Sequence, residues 1–169
     1  MAESRIGADD GSTLPFTAVA TTTCSIARTA EIIGQPWMLV VLRDLAHGVS
    51  RFDHLITHIG IAPAVLSRRL RTLVDAGLVD RVAYREVGHR TRHEYVLTTT
   101  GRQLGQILLA AKTFGDEHLA GAAGPPVHAE HAGCGGTVTS RAVCSHGHVL
   151  TAGDRVDERV GPGALLPGS

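Results

Sequence analysis

Leucines and arginines alternate closely in residues 63–81, PAVLSRRLRTLVDAGLVDR. Helical spacing separates the two types: an inward stripe would hold Leu66, Leu70, Leu73 and Val74, and the opposite side Ala64, Ser67, Arg68 and Arg71, with Arg69 at the flank. A guanidinium can bind O6 and N7 of guanine through two parallel hydrogen bonds, or it can neutralise a phosphate. We therefore predict that Arg68 and Arg71 read bases, and that Ser67 and Arg69 hold the helix on a nucleic-acid backbone.

The charge of this region differs from that of the whole chain. Over 169 residues, 16 basic and 16 acidic side chains balance, so the overall charge does not indicate an acidic partner. Residues 62–97 contain seven arginines against four acids, an excess that suits a surface facing phosphates. The plainer alternative is a solvated helix face with pairs such as Arg71 and Asp75, which leaves the arginines of the following loop unexplained.

Two helices are predicted before this segment. Residues 24–34 place Ile26, Ala30 and Ile33 at helical spacing, and Gly34 ends the run. A second helix would carry Pro36 in its first turn and end at Gly48; its core face would hold Trp37, Val40, Val41 and Leu45.

A third helix is predicted from Ser50, because Ser50 and Asp53 have the spacing of a capping box. Its inward residues would be Phe52, Leu55 and Ile56. The fourth helix, residues 62–76, has Pro63 in its first turn and Gly77 at its end.

A β-hairpin, residues 78–97, follows the fourth helix. LVDRVAYREV and RHEYVLT are rich in β-branched and aromatic residues, and a glycine-containing tip joins them. His89, Arg90 and Arg92 make this tip basic, so it could lie against phosphates or in a minor groove. Three short helices and this hairpin predict an α+β, mainly α fold, the winged helix-turn-helix.

After the hairpin, TTTGRQLGQILLAAKTFGDEHLAG begins with threonine caps and continues as a helix. Its apolar side would hold Leu104, Ile107, Leu108, Ala111 and Phe114. A small winged domain offers this side nothing to pack against, so a matching helix from a second subunit is expected, making the protein a homodimer.

The composition also suggests how the chain is divided. We expect a flexible arm in residues 1–23, the winged domain with its dimerisation helices in 24–120, and a linker in 121–130. A small Cys/His knuckle-like extension in 131–158 and a disordered tail in 159–169 would follow. The longest run of large apolar residues, WMLVVL, is too short to span a bilayer, and the N-terminal residues lack the apolar segment of a leader, so a cytoplasmic location is expected.

These segments resemble the HxlR-type winged helix-turn-helix family of bacterial transcriptional regulators, relatives of the MarR-like regulators. The resemblance runs from Cys24 to about Thr113 and is carried by IIGQPWMLVVLRDL, RFDHL, VLSRRLRTLVDAGLVDR, YREV and EYVLTTTGRQL. It implies a DNA-binding homodimer whose fourth helix enters the major groove and whose wing meets the flanking backbone.

Three features depart from the family's pattern. Ala62 and Ala64 stand where a Ser or Thr cap and a polar residue are usual, which removes an N-cap and a base contact. Pro36 replaces a lysine, and the wing tip is longer and more basic. The fold should survive these changes, whereas the DNA sequence it recognises is expected to be unusual.

Cys24 would begin the first helix, where the positive end of the helix dipole favours a thiolate. The resemblance adds that several family members use a cysteine at this position to sense electrophiles or oxidants. The alternative is a small buried residue that packs in a dimer interface.

The segment after the linker contains four residues with the chemistry of zinc ligands. His131 and Cys134 are separated by two residues, and Cys144 and His146 follow. Two cysteines and two histidines could fill a tetrahedral zinc site. However, Gly147 stands where the second cysteine of a C-x-x-C would be, so a degenerate knuckle that folds as a small β-hairpin without metal is the alternative.

The sequence favours a dimeric regulator that binds double-stranded DNA at a palindromic operator and responds to a small-molecule effector or to thiol chemistry. An enzyme is disfavoured, because the chain shows no paired carboxylates in a plausible cleft, no nucleophile elbow and no glycine-rich phosphate loop. A winged-helix module for protein or RNA contact is the remaining alternative.

Overall fold

A computed structural model of the chain describes residues 5–7, 13–15, 20–85 and 91–165. The backbone divides into two compact units. One unit comprises residues 1–35 with 150–169, and the other comprises residues 36–149.

The first unit is small. Strands β1 (Arg5–Gly7) and β2 (Thr13–Pro15) pair antiparallel, and a single 3-10 turn at Thr21–Thr23 leads into helix α1 (Ser25–Ile33). Gly34 is the C-cap of α1, as predicted. None of the residues of α1 is fully buried; Ile26 is 80% exposed, whereas Ile33 at the end of the helix is half-buried.

The second unit contains the remaining helices and a two-stranded antiparallel sheet. The helices are α2 (Met38–Ala46), α3 (Phe52–Ile59), α4 (Pro63–Asp75), α5 (Thr99–Gln103) and α6 (Gly105–His118), and the strands are β3 (Val79–Tyr84) and β4 (Arg92–Leu97). Its core is formed by Met38, Val41, Leu42, Leu45, Leu55, Ile61, Leu66, Leu70, Leu73, Leu78, Val79 and Leu97. Helices α2, α3 and α4 followed by the β3–β4 hairpin confirm the predicted winged helix-turn-helix.

The start of α2 differs from the prediction. The helix begins at Met38, so Pro36 lies in the preceding turn and not in the first helical turn. Trp37 is the N-cap in a left-handed conformation, with φ 71°, and its side chain is 49% exposed. The prediction that Trp37 lies on the core face was therefore wrong, because the left-handed residue takes its side chain out of the helical pattern; Met38 and Leu42 are buried on that face.

The predicted capping box at Ser50 and Asp53 was also wrong. The N-cap of α3 is Arg51, and no side chain caps the helix. The reason is that the chain before α3 pairs with the hairpin: the Ser50 carbonyl accepts a hydrogen bond from the Tyr95 amide at 2.8 Å, and Arg51 forms an antiparallel bridge with Glu94. This extended pairing delays the start of the helix until Phe52.

The two strands of the hairpin pair antiparallel over six residues each. Strands β3 and β4 pair from Val79 opposite Leu97 to Tyr84 opposite Arg92. The base of the hairpin is anchored in the core, because Val79 and Leu97 are both buried there. Residues 86–90, which include His89 and Arg90, lie outside the described residues.

The helix predicted after the hairpin is interrupted at Leu104. The Thr98 hydroxyl caps α5 by accepting a hydrogen bond from the Gly101 amide, as the threonine-rich start predicts. The Leu104 amide bonds to the Gly101 carbonyl three residues back, a 3-10 turn that separates α5 from α6. Gly101 is itself buried, and a Cβ built on it would lie 2.0 Å from the Leu78 carbonyl oxygen, so the close approach of α5 to the base of the wing requires a glycine.

The segment after α6 has no helix among its described residues. It contains two short antiparallel bridges, Glu130 with Thr137 and Val143 with Val149. Hydrogen bonds tie it to α6: Lys112 Nζ donates to the Val127 carbonyl at 2.6 Å, and the Ser140 amide donates to the Thr113 hydroxyl at 3.2 Å.

Candidate nucleic-acid interface

Helix α4 has one buried side and one exposed side. Pro63 occupies its first turn, no side chain caps it at Ala62, and Gly77 with φ 68° follows its end. Leu66, Leu70 and Leu73 are buried and Val74 is half-buried. Ala64, Ser67, Arg68 and Arg71 are exposed. The helical spacing therefore sorts the leucines from the polar residues as predicted.

Helix α4 presents two arginines, Arg68 and Arg71, on its exposed side. In the part of the chain that the structure describes, neither Arg68 nor Arg71 forms an ion pair, and the pair of Arg71 with Asp75 that a solvated helix face would contain is not made. Ser67 lies beside them on the same surface. Two guanidinium groups and a hydroxyl are thus presented to solvent on one helix face, where they can meet phosphates or the donor and acceptor edges of bases.

Arg69 has a different environment. It is half-buried, and its Nε donates a hydrogen bond to the Pro36 carbonyl at 2.9 Å. This contact ties α4 to the turn that precedes α2, beside the left-handed Trp37. It supports a role in positioning the helix; the prediction that Arg69 contacts a nucleic-acid backbone stays a prediction.

A buried carboxylate, which the sequence pattern did not predict, lies on α2 of the same unit. Asp44 on α2 is 2% exposed, and its Oδ1 accepts hydrogen bonds from Arg43 Nε at 2.9 Å and Nη2 at 2.7 Å. Its Oδ2 accepts from His58 Nδ1 on α3 at 2.6 Å. The signal was available, since Asp44 lies one helical turn after the core residue Val41. The network joins α2 to α3, the helix that precedes α4.

Two arginines of the wing contact other side chains of the second unit. Arg81 Nη2 lies 3.0 Å from His93 Nδ1 across the hairpin, and Arg92 Nη1 lies 4.0 Å from Asp53 Oδ2. Arg92 remains half-exposed, with 51% of its side chain accessible. His89 and Arg90, the other two predicted contacts of the tip, lie outside the described residues.

Cys24 is at the position that the sequence predicts. It is the N-cap of α1, it is half-buried, and its thiol is free. Its carbonyl accepts the Arg28 amide at 3.0 Å, the first hydrogen bond of the helix. The reactivity of this thiol stays a prediction.

The four predicted zinc ligands are brought together only in part. His131 Nδ1 lies 3.3 Å from Cys134 Sγ within one turn. Cys144 lies in a second turn, closed by hydrogen bonds from its amide to the His148 carbonyl and from the Gly147 amide to its own carbonyl. Within the described residues no three His, Cys, Asp or Glu side chains form a group that could hold a metal ion. The donor set, His146 included, therefore does not fit a tetrahedral site in this arrangement.

Comparison with known proteins identifies the family. The model of the HxlR-like helix-turn-helix family matches residues 32–122, which include α2 to α6. This chain belongs to the HxlR family. HxlR proteins are transcriptional regulators and not enzymes, and an exposed face on α4 is consistent with that class. Among the described residues, no helix is both long and apolar enough to cross a membrane.

Individual relatives agree with this assignment. An HTH-type transcriptional regulator of Mycobacterium tuberculosis is 41% identical over 140 residues, which cover 82% of this HxlR chain and 87% of the relative. The crystal structure of PA1607, a protein proposed to be a transcription factor, superposes with a TM-score of 0.71 at 28% identity, covering 81% of this chain and 96% of that one. The redox regulator HypR in its reduced form superposes with a TM-score of 0.51 at 28% identity, covering 57% and 94%.

Proposed function

We propose that this HxlR protein is a sequence-specific DNA-binding regulator that acts as a homodimer, with residues 62–76 in the major groove and the wing, residues 78–97, on flanking DNA. The observation that carries the proposal is the exposed face of α4, on which Arg68 and Arg71 have no ion-pair partner among the described residues while the leucines of the same helix are buried. A helix held by its apolar side and free on its basic side is the element that helix-turn-helix proteins insert into the major groove.

Roles within the interface follow from these environments. Arg68 and Arg71 read base edges, since a bidentate arginine distinguishes guanine from the other bases. Ser67 bonds to the backbone, and Ala64 packs against it without adding a polar contact. Arg92, with His89 and Arg90, contacts phosphates through the wing, which adds affinity that depends on salt concentration.

A homodimer is supported by the apolar surface of α6. None of its residues is buried, and Ile107, Phe114 and the following Leu119 are 37%, 59% and 75% exposed. Large apolar side chains exposed along one helix mark an interaction surface. A two-fold dimer presents two copies of α4, so its operator is a palindrome with half-sites spaced by about one helical turn of DNA.

Regulation by thiol chemistry is supported by Cys24 at the N-cap of α1 and by the similarity to HypR, which is named a redox regulator. Oxidation of the thiol would change the packing of the first helix and with it the geometry of the dimer. The test measures DNA affinity before and after diamide or a quinone. Treatment should change the affinity of the wild type and leave Cys24→Ser unaffected; an unchanged response in the variant would remove Cys24 from the mechanism.

DNA recognition is tested by a gel shift with the region upstream of the protein's own gene. We expect a complex that survives excess unrelated duplex and is removed by unlabelled specific duplex. Binding that ignores the competitor sequence, or that prefers single-stranded RNA or a protein, would contradict sequence-specific duplex recognition and favour the alternative winged-helix module.

A further inference from the structure

One exposed cysteine of the second unit lies beside a histidine. Cys134 follows α6 in the turn of residues 131–136, and its Sγ is 3.3 Å from His131 Nδ1. The other two cysteines, Cys24 and Cys144, are half-buried. In the part of the chain that the structure describes, neither of those two thiols has a hydrogen-bond partner. Cys134 therefore combines access from solvent with a neighbouring base.

The backbone of this turn holds the two side chains together. The His131 carbonyl accepts hydrogen bonds from the Cys134 amide at 3.1 Å and from the Gly135 amide at 2.8 Å. The His131 amide donates to the Gly136 carbonyl at 2.9 Å. Gly135 has φ 70°, a left-handed conformation that favours glycine. The approach of His131 to Cys134 is thus a property of the turn itself.

A glycine between the two residues leaves room for the imidazole. A Cβ built on Gly133 would lie 2.9 Å from His131 Cε1 and 3.4 Å from His131 Nδ1. Carbon atoms that are not bonded do not approach as closely as the first of these distances, so any larger residue at this position displaces the ring. Gly133 therefore permits the contact between the imidazole and the thiol of Cys134.

The contact supplies what a thiol needs to become a nucleophile. In the tautomer that carries its proton on Nε2, His131 Nδ1 accepts the thiol hydrogen and can take the proton. The reactive form of cysteine is the thiolate, which a base in hydrogen-bond contact generates. Within the described residues no third donor joins this pair to hold a metal ion, so the sulfur of Cys134 stays open to other reactants.

We propose that Cys134 is a site of covalent modification by α,β-unsaturated carbonyl compounds, a class that includes quinones, and that His131 is the base of the reaction. The thiol proton moves to His131 Nδ1 as Sγ forms a bond to the β-carbon. The π electrons of the carbon–carbon double bond move to the carbonyl oxygen and form an enolate. The imidazolium then gives its proton to the α-carbon. The product is a thioether, no group leaves, and no oxidant is needed.

This reaction is separate from the regulation proposed for Cys24. It requires neither DNA nor a second subunit, because both reacting groups lie in one turn of one chain. If the helix dipole at Cys24 controlled the reactivity of the thiols, Cys24 would be modified first. The contact with His131 predicts instead that Cys134 is modified first. Adducts are counted at each cysteine, so failure of this proposal leaves the test of Cys24 and of DNA binding unaffected.

The test treats the full-length protein at neutral pH with N-ethylmaleimide and follows the adduct at each cysteine by mass spectrometry of its peptides. We expect Cys134 to react at least about tenfold faster than Cys24 and Cys144, and His131→Gln, which removes the base, to slow Cys134 at least about tenfold. His128→Gln, at an exposed histidine before the turn, is the matched control and should leave the rate unchanged.

A second pair of variants moves the ring without removing it. Gly133→Ala should slow Cys134 because the added Cβ displaces the imidazole. Gly121→Ala is its control, since a Cβ there meets no atom within 4 Å. In every variant, unchanged rates at Cys24 and Cys144 and an unchanged circular dichroism spectrum show that the fold is kept.

Adducts that form first at Cys24 or Cys144 would overturn the proposal. A rate at Cys134 that His131→Gln leaves unchanged, or that His128→Gln lowers as much, would also overturn it, because exposure alone would then account for the reaction. A wild-type rate in Gly133→Ala would exclude the observed contact of His131 with Cys134 as its cause.

Discussion

Asp44 on α2 accepts a hydrogen bond from His58 Nδ1 on α3 at 2.6 Å, and its carboxylate is 2% exposed. The opposite oxygen accepts two hydrogen bonds from the adjacent Arg43. A buried carboxylate is stable only when its oxygens are bonded. The pair therefore couples the core helix of the domain to the helix that precedes the proposed DNA-reading element.

Asp44→Asn keeps the shape of the side chain and removes its charge. We expect the free energy of unfolding to fall by about 1–3 kcal/mol, since hydrogen bonds to a buried charged group are replaced by weaker ones. Chemical denaturation measures the change. The control is Asp157→Asn, because Asp157 forms an exposed pair with Arg155 at 2.6 Å; its substitution should change stability by less than about 0.5 kcal/mol. Equal effects of the two substitutions would contradict the structural role of Asp44.

Substitution of two neighbouring glycines by alanine, at Gly101 and at Gly105, tests the packing of α5 against the base of the wing. Gly101→Ala would place a Cβ 2.0 Å from the Leu78 carbonyl oxygen, and backbone has to move to accommodate it. We expect a loss of about 1–3 kcal/mol. Gly105→Ala meets no atom within 4 Å and should be neutral or stabilise α6 by up to about 1 kcal/mol. Thermal unfolding of both variants checks the prediction, and a Gly101→Ala variant as stable as the wild type would contradict the observed approach of α5 to the wing.

The sequence predicted those elements whose apolar or β-branched residues follow a regular local pattern. The spacing of Leu66, Leu70 and Leu73 was sufficient for α4, and the two β-rich runs were sufficient for the hairpin. Trp37 was misplaced because its left-handed conformation interrupts the periodicity on which the prediction rested. The start of α3 was misplaced because Ser50 pairs with Tyr95, which is far away in sequence. Contacts of this kind, like that of Arg69 with Pro36, depend on the assembled fold and leave no local pattern.

The exposed apolar side of α6 predicts the effect of a charge there. Phe114 is 59% exposed, so Phe114→Glu should preserve the helical content of the chain and convert the proposed homodimer to a monomer. Val143→Asp, at an apolar residue that is 55% exposed after α6, is the control and should remain dimeric. Sedimentation equilibrium distinguishes the two states. A Phe114→Glu protein that stays dimeric would exclude this side of α6 as the interface.

The turns around Cys134 and Cys144 predict a protein that folds without zinc. Because the donor side chains do not form a group of three among the described residues, elemental analysis of the purified protein should find much less than one zinc per chain. Cys134→Ser should then leave the metal content and stability unchanged. One zinc per chain that is lost in Cys134→Ser would contradict this and restore the zinc site that the residue types suggest.

Fluorescence anisotropy with a labelled operator tests most directly whether α4 reads DNA through Arg68 and Arg71. The double variant Arg68→Ala with Arg71→Ala should lose at least about 30-fold in affinity, since each bidentate contact contributes about 1–3 kcal/mol, and its preference over unrelated duplex should fall. Arg141→Ala should bind like the wild type. An affinity of the double variant within threefold of the wild type, at the same salt concentration, would contradict the account.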